Sequence, residues 1–282
     1  MLSKLKITLL LITFIFIWSC GDKTKKISEI VEVDMEMQMS NAYKEGYLEL
    51  KRGDVLLAAK KFNEAELLFP QSAWAPQAAI MAAYSYYSQA YYNDTIYELE
   101  RYLISYPNHK DKVYAHFILG MSFYQQIVDE KKDLKSILDS KEQFEIIIEN
   151  YPKTEFAMNA KFKIDLINEI LAAKEMYIAR YYLKKTKWIP ALNRFKIVLT
   201  DYDTTIYTEE ALHRLVEINY RLGLIDESKK YANTLGYNYQ SSDWYKNTYK
   251  VFNKNYRDAV KELQKDKKKK VGIIKRVKEL FE

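Results

Sequence analysis

Three histidines, one cysteine and 25 tyrosines are the side chains of this 282-residue sequence whose chemistry must be weighed first. His109, His116 and His213 could ligate zinc or relay protons, but no two of them have the HExxH or HxH spacing that puts both rings on one metal. The sequence contains no Walker loop, no GxSxG elbow and no glycine-rich phosphate turn. Its 38 acidic residues read as solvated helix faces. The histidines therefore read as core or surface residues, and neither an enzyme nor a bound metal or cofactor is expected.

The lone cysteine is explained by its position. Lys4 and Lys6 precede an apolar run, Ile7 to Trp18, that has the length of a signal-peptide core and is short for a bilayer span. The run ends in Ile17-Trp18-Ser19-Cys20-Gly21, which resembles a bacterial lipobox, although Trp18 fills a slot that usually holds a small residue. A plain signal peptide or uncleaved anchor with an incidental cysteine is the alternative. The lipobox resemblance implies a signal peptide over 1–19 and lipidation at Cys20, with a diacylglyceryl thioether and an acylated amino group. Several acyl chains hold a protein on a membrane where one is marginal. Gly21 in place of Asp implies delivery to the outer membrane, and the polar stretch 20–39 reads as a tether.

The formal net charge of +6 is unevenly placed. Lys4 and Lys6 contribute two charges and Lys261–Glu282, with nine positive and four negative residues, contributes five, leaving the body between at −1. A nucleic-acid partner, which requires a basic patch or stripe, is not expected. An apolar fraction of 48% is ample for a core, and 7 Gly with 5 Pro are too few for a turn-rich sheet protein, so the fold class is all-α.

What positions these residues is a recurring turn: Phe69-Pro70-Gln71-Ser72, Tyr106-Pro107-Asn108-His109, Tyr151-Pro152-Lys153-Thr154 and Tyr202-Asp203-Thr204-Thr205, with Tyr239-Gln240-Ser241-Ser242 as a weaker copy. Eight residues before the Pro/Asp position stand Phe62, Leu99, Phe144 and Phe195; eight after it stand Ala78, Ala115, Ala160 and Ala211. Proline discourages continuation of the preceding helix, the Ser or Thr two residues on can cap the next, and a small alanine admits a close neighbour. Intervals of 37, 45, 51 and 37 residues each fit two helices, so the array is a repeat of helix pairs.

Taken in order, the spacing predicts a first pair turning at Gly53-Asp54 and a second, Ser72 to Tyr106, turning near Tyr92-Asn93-Asp94. The third has helices from Asp111 to Val128 and from Lys141 to Tyr151, separated by a charged insert, Asp129 to Asp139. In the fourth, a long helix from Glu155 to Lys185 carries one stripe through Phe162, Leu166, Ile170, Ala173, Tyr177 and Tyr181. A second stripe runs through Ala160, Ile164, Ile167, Leu171, Ile178 and Tyr182, so the helix is expected to be covered on both sides. Its partner starts at Trp188-Ile189-Pro190, and Arg194 lies about 100° from the centre of that helix's apolar stripe. The fifth pair stops at Gly223, and a helix from Asp243 to Leu263 can cap the stack. Tyr84, Tyr87 and Tyr91 crowd one helix end, either as core and rim packing or as the wall of a peptide-binding groove. Ile273, Ile274, Val277, Leu280 and Phe281 give the basic segment 264–282 amphipathic spacing. That segment reads as a solvated tail helix or a contact for anionic lipid or a partner groove.

The stretch LAAKEMYIARYYLKKTKWIPALNRFKIVLTDYDT, Leu171 to Thr204, with EEALHRLVEINYRLGL from Glu209 and WYKNTY from Trp244, resembles the BamD family. This is the lipoprotein subunit of the outer-membrane β-barrel assembly (Bam) complex. The resemblance spans roughly Ala42 to Val251, carried most specifically by the E-M-x-x-A-R-Y-Y and N-R-F runs; Lys174 stands where the family often has His. It implies a right-handed superhelix of five tetratricopeptide-like helix pairs with a capping helix, over 40–263. It also implies a non-enzymatic scaffold on the periplasmic face of the outer membrane. The amino-terminal repeats would receive unfolded β-barrel precursors, and the carboxy-terminal repeats would dock on the periplasmic domains of BamA beside other Bam lipoproteins. The NRF arginine, Arg194, would make an ionic contact with BamA, an intrachain salt bridge being the alternative. A different periplasmic repeat lipoprotein, coordinating envelope constriction or peptidoglycan synthesis, would share the anchor and solenoid without the Leu171–Thr204 match.

Overall fold

A computed structural model describes residues 34–128 and 134–253. Cys20, the signal segment, most of the tether, the tail 264–282 and the end of the last expected helix lie outside the described residues. Within them are eleven α-helices and no strand: α1 Met35–Arg52, α2 Val55–Leu68, α3 Ala75–Ser88, α4 Tyr92–Ser105, α5 Lys112–Gln125, α6 Leu134–Asn150, α7 Glu155–Lys184, α8 Trp188–Asp201, α9 Thr208–Arg221, α10 Ile225–Asn238 and α11 Asp243–Phe252. Each helix packs on the next in sequence. In addition α3 meets α5, α5 meets α7 and α9 meets α11, so the odd-numbered helices form a layer of their own. The result is an all-α helical repeat.

The repeat frame is the core. Phe62, Leu99, Phe144 and Phe195 are all but completely buried, as are Ala78, Ala115, Ala160 and Ala211. Each aromatic or leucine on an even-numbered helix fills the space beneath a helix whose approach the alanine permits. Gly46 and Gly120 deepen two of these contacts, because a Cβ on either would lie 3.0 Å from the ring of Phe62 or Phe144. The apolar interior is therefore a series of clusters strung along the chain, each resting on its neighbours.

The turns use the expected hydroxyls in two ways. Thr154 Oγ1 accepts from Ala157 N at 3.2 Å and Ser242 Oγ from Tyr245 N at 3.0 Å, capping α7 and α11. Ser72 Oγ likewise accepts from Ala75 N at 3.1 Å, but an extra turn follows it and α3 begins at Ala75. Thr205 instead donates to Tyr202 O at 2.8 Å, and α9 begins at Thr208. Gly53 and Gly223, at φ 86° and 78°, end α1 and α9 in the left-handed region that glycine enters without a Cβ clash.

Three expectations are corrected. The second pair turns at Gln89–Tyr91, ahead of Tyr92-Asn93-Asp94, with Ala90 taking φ 63° where a glycine would ordinarily mark the bend. Helix α6 starts at Leu134, well before Lys141, because Ile137 is fully buried and draws the second half of the charged insert into helix. Helix α7 is not covered on both sides. Phe162, Tyr177 and Tyr181 of its first stripe are 62%, 52% and 54% exposed. Coverage instead changes along the helix: Ala157, Ala160, Ile167 and Leu171 belong to the cluster of α5 and α6, whereas Ala172, Met176 and Ala179 belong to that of α8 and α9.

Candidate functional site

The odd-numbered helices leave grooves where one meets the next, and the same frame positions line them. Between α3, α5 and the start of α7 a groove of about 590 Å³ is walled by Ile80, Met81, Tyr84, Val113, Tyr114 and Phe156, with Lys110 and Asp111 at its edge. The Tyr114 and Phe156 rings meet edge to face at 6.0 Å. Burial, with the nearby Tyr84 and Tyr87, pushes the Tyr114 hydroxyl up to about 12, so it acts only as a neutral donor or acceptor. Counting from Pro70 or Pro107, the lining falls at offsets +10, +11 and +14 of one repeat and +6 and +7 of the next. The groove sets aliphatic and aromatic walls beside Gln77 and the opposite charges of Lys110 and Asp111, which suits a chain that lays apolar side chains across it.

Of the tyrosines singled out in the sequence, Tyr84 lines this groove and is partly exposed. Tyr87 packs into the core of α3, α4 and α5, its ring 6.1 Å from Tyr92. Tyr91 stands at the α3–α4 turn, where its carbonyl accepts from Thr95 N and Oγ1 at 3.0 Å, and it does not line the groove. Tyr114 and Phe156 escape a reading based on crowded rings; comparison of the repeats at offset +4, where Trp74, Phe156 and Tyr207 align, marks Phe156 alone.

Arg194 projects from α8 with its side chain 40% exposed, and its Nη1 bonds both oxygens of Glu175 on α7, at 2.9 and 3.2 Å. The intrachain salt bridge weighed as the alternative is thus formed, and it holds the guanidinium at the surface. Further along α7, Arg180 pairs with Glu210 of α9. The E-M-x-x-A-R-Y-Y run therefore supplies an ion pair from α7 to α8 and another from α7 to α9.

The histidines are packing residues. His109 Nδ1 meets Tyr102 Oη at 2.8 Å, His116 Nδ1 meets Gln143 Oε1 at 2.9 Å, and His213 Nδ1 meets Thr248 Oγ1 at 2.8 Å, joining α9 to α11. Among the described residues no group of three or more His, Cys, Asp or Glu is placed to hold a metal ion, and no helix is long and apolar enough to cross a membrane. Burial holds the His116 and His213 rings below their ordinary 6.5. A base whose folded value is depressed stabilises the fold fully above its unfolded value, and that contribution is lost as the pH drops. Thermal denaturation is therefore expected at lower temperature as pH falls from about 7 through 6.5 toward 5. His213→Gln should flatten part of this slope; a midpoint that stays level on acidification would show that these rings are solvated.

Most of the chain has relatives among known proteins. The YfiO family, described as outer membrane lipoprotein, matches residues 35–235. The outer membrane protein assembly factor BamD of Rickettsia prowazekii is 38% identical over 257 residues, covering 91% of this chain and 99% of that protein. The protein of the same name from Caulobacter vibrioides is 35% identical over 246 residues, covering 87% and 80%. Among solved structures, a thermophilic TPR protein of Thermus thermophilus overlaps 76% of this chain and 98% of its own at 15% identity and a TM-score of 0.35, too slight to argue from.

Proposed function

Because the chain belongs to the YfiO family of outer membrane lipoproteins, we propose that it is a scaffold of outer-membrane protein assembly, holding BamA and unfolded β-barrel precursors together on the periplasmic face. In this reading the helices form a right-handed superhelix of five tetratricopeptide-like pairs closed by α11, held to the membrane through lipidated Cys20 and working beside other Bam lipoproteins. The groove at Tyr84, flanked by Tyr87, receives apolar side chains of the precursor. The observation that carries the reading beyond family membership is the position of Arg194. It is a half-exposed guanidinium bound through one nitrogen to one carboxylate, so the remaining edge donors can engage a carboxylate on BamA without unfolding anything.

Arg194→Glu should reduce co-purification with BamA by an amount corresponding to on the order of 2–5 kcal/mol, with helical circular dichroism unchanged. Since that substitution also sets two carboxylates in repulsion across α7 and α8, the charge swap Arg194→Glu with Glu175→Arg restores the internal pair and isolates the partner contact. If the swap recovers full binding, Arg194 serves only the α7–α8 contact; if it remains defective, the arginine faces BamA.

A further inference from the structure

The turns between α1 and α2, α3 and α4, α7 and α8, and α9 and α10 share a frame. One residue takes a positive φ (Gly53, Ala90, Thr186 and Gly223), the next is the N-cap of the following helix, and the third opens that helix. In the first of these turns the frame is filled as a turn prefers: Asp54 Oδ1 accepts from Leu57 N at 3.0 Å, and Val55 is buried at 4% exposure. In the last, the same two slots hold Leu224, which has no capping atom, and Ile225, which is 37% exposed. With Leu222 they make an exposed run, Leu222-Gly223-Leu224-Ile225, that neither the cap nor the core accounts for.

The α7–α8 turn beside it adds cations. Lys187 stands in its N-cap slot, Lys184 and Lys185 precede it, and all three are exposed. The two turns touch, since Arg221 at the end of α9 sets its Cζ 5.1 Å from the ring centre of Trp188 at the start of α8; Ile189, the next residue, is 56% exposed. Lys184, Lys185, Lys187 and Arg221 have no carboxylate partner among the described residues. Lys185 Nζ lies 6.0 Å over the ring of Tyr181, which is itself exposed. The acids that follow Ile225 are already answered, Asp226 by Lys229 and Glu227 by Lys230. Four cations free of carboxylates thus stand beside four exposed aliphatic side chains at the tips of two neighbouring turns.

We propose that this edge rests on a bilayer surface carrying anionic phospholipid, with Ile189, Leu222, Leu224 and Ile225 entering the headgroup region while the cations meet phosphates. Aliphatic tips strengthen neither turn and are unfavourable in water, whereas burial at a bilayer interface makes each of them favourable. Lysine suits that place, because its stem runs along apolar surface while the ammonium stays at the phosphates. Tyr181 and Trp188, behind the tips, are the amphipathic rings that headgroup level favours. Side chains on turn tips present themselves to a broad, deformable surface rather than enclosing a segment of chain. The edge uses none of the residues assigned above to BamA or to precursors. Because the contact is read at residue 224, it stands or falls separately from the anchor at Cys20.

The full-length chain tests this with the environment-sensitive fluorophore NBD attached through Leu224→Cys, Cys20→Ser making the introduced cysteine the single thiol. In phosphatidylcholine vesicles containing phosphatidylglycerol, the emission is expected to shift to the blue and to be quenched by nitroxide-labelled lipid. A label attached through Tyr237→Cys, an 86% exposed position at the other end of α10, should stay in water. Raised salt and pure phosphatidylcholine should both weaken the quenching at 224. Lys185→Glu with Arg221→Glu should lower the ratio of lipid-inserted to water-exposed label about twentyfold or more, each cation near an anionic surface contributing about a factor of five. Helical circular dichroism should not change, and Lys185→Arg with Arg221→Lys should keep the insertion. Quenching at 224 no greater than at 237, equal quenching in pure phosphatidylcholine, or a blue shift that requires BamA rather than lipid would each overturn the proposal, the last by assigning the edge to a protein.

Discussion

Arg101→Met is expected to destabilise the protein by about 3 kcal/mol, near the low end for opening a buried ion pair because the arginine side chain is itself 32% exposed. Its Nη1 and Nη2 clamp Glu66 at 2.8 and 2.6 Å, and its Nε bonds Glu98 at 3.0 Å. Both carboxylates are nearly buried, with side-chain exposures of 7% and 8%. Glu66 also accepts from Tyr106 Oη at 2.7 Å, and Glu98 from Asn63 Nδ2 at 2.8 Å. These bonds, with Glu66 foremost, hold the guanidinium well above its ordinary range, and burial together with Glu66 keeps the Tyr106 hydroxyl protonated.

Methionine keeps most of the volume and removes the charge, so two carboxylates are left together between α2 and α4 with only neutral donors. Equilibrium urea unfolding measures the loss. Adding Glu66→Gln and Glu98→Gln to the variant should recover most of it, because neutral amides remove the burial penalty that the cation had offset. A loss below about 1 kcal/mol for Arg101→Met alone would mean that water reaches the pair and that the network is a surface one.

Phe144→Ala should cost more, about 3–5 kcal/mol. The ring is fully buried, packs edge to face on Phe117 at 5.9 Å, and fills the space that Gly120 leaves open. Gly120, with no side chain, has nothing to put into the void that the ring leaves. The site of the loss matters as well as its size. In a repeat array each unit is coupled only to those beside it, so a weak link in the middle separates the two ends. Trp74 lies before the void and Trp244 far beyond it, and amide exchange around them should unfold together in the parent and at different denaturant concentrations in Phe144→Ala. Coincident unfolding in the variant would show a single cooperative core.

The buried scaffold was legible in the sequence because it repeats. Four copies of one turn with residues at −8 and +8 predicted the fully buried Phe62, Leu99, Phe144 and Phe195 and their alanine counterparts. Departures came where local signals were silent. Ala90 takes a left-handed conformation without a glycine, and α6 begins at Leu134, inside the charged insert. The two stripes of α7 were visible, but periodicity cannot tell a face covered by a neighbour from one left in water. The site was less legible than the scaffold. Of the crowded rings Tyr84 lines a groove, Tyr87 packs into the core and Tyr91 stands at the α3–α4 turn, positions that ring spacing alone does not separate. Arg221 has the spacing of an ordinary solvated helix face; its grouping with Trp188 depends on which helices become neighbours.

Helix α7 has a mechanical meaning beyond its place in the stack. At 1.5 Å per residue its 30 residues form a rod of about 45 Å, whose first half is seated in one apolar cluster and whose second half is seated in another. Elsewhere adjoining units are joined by short turns that can flex; here they share a continuous backbone, and bending one against the other means breaking helical hydrogen bonds. The groove at Tyr84 lies at the start of this rod, where Phe156 is one of its walls, and α9 and α11 stack beyond its other end, so the span between the two ends of the array is set by a continuous helix rather than by turns.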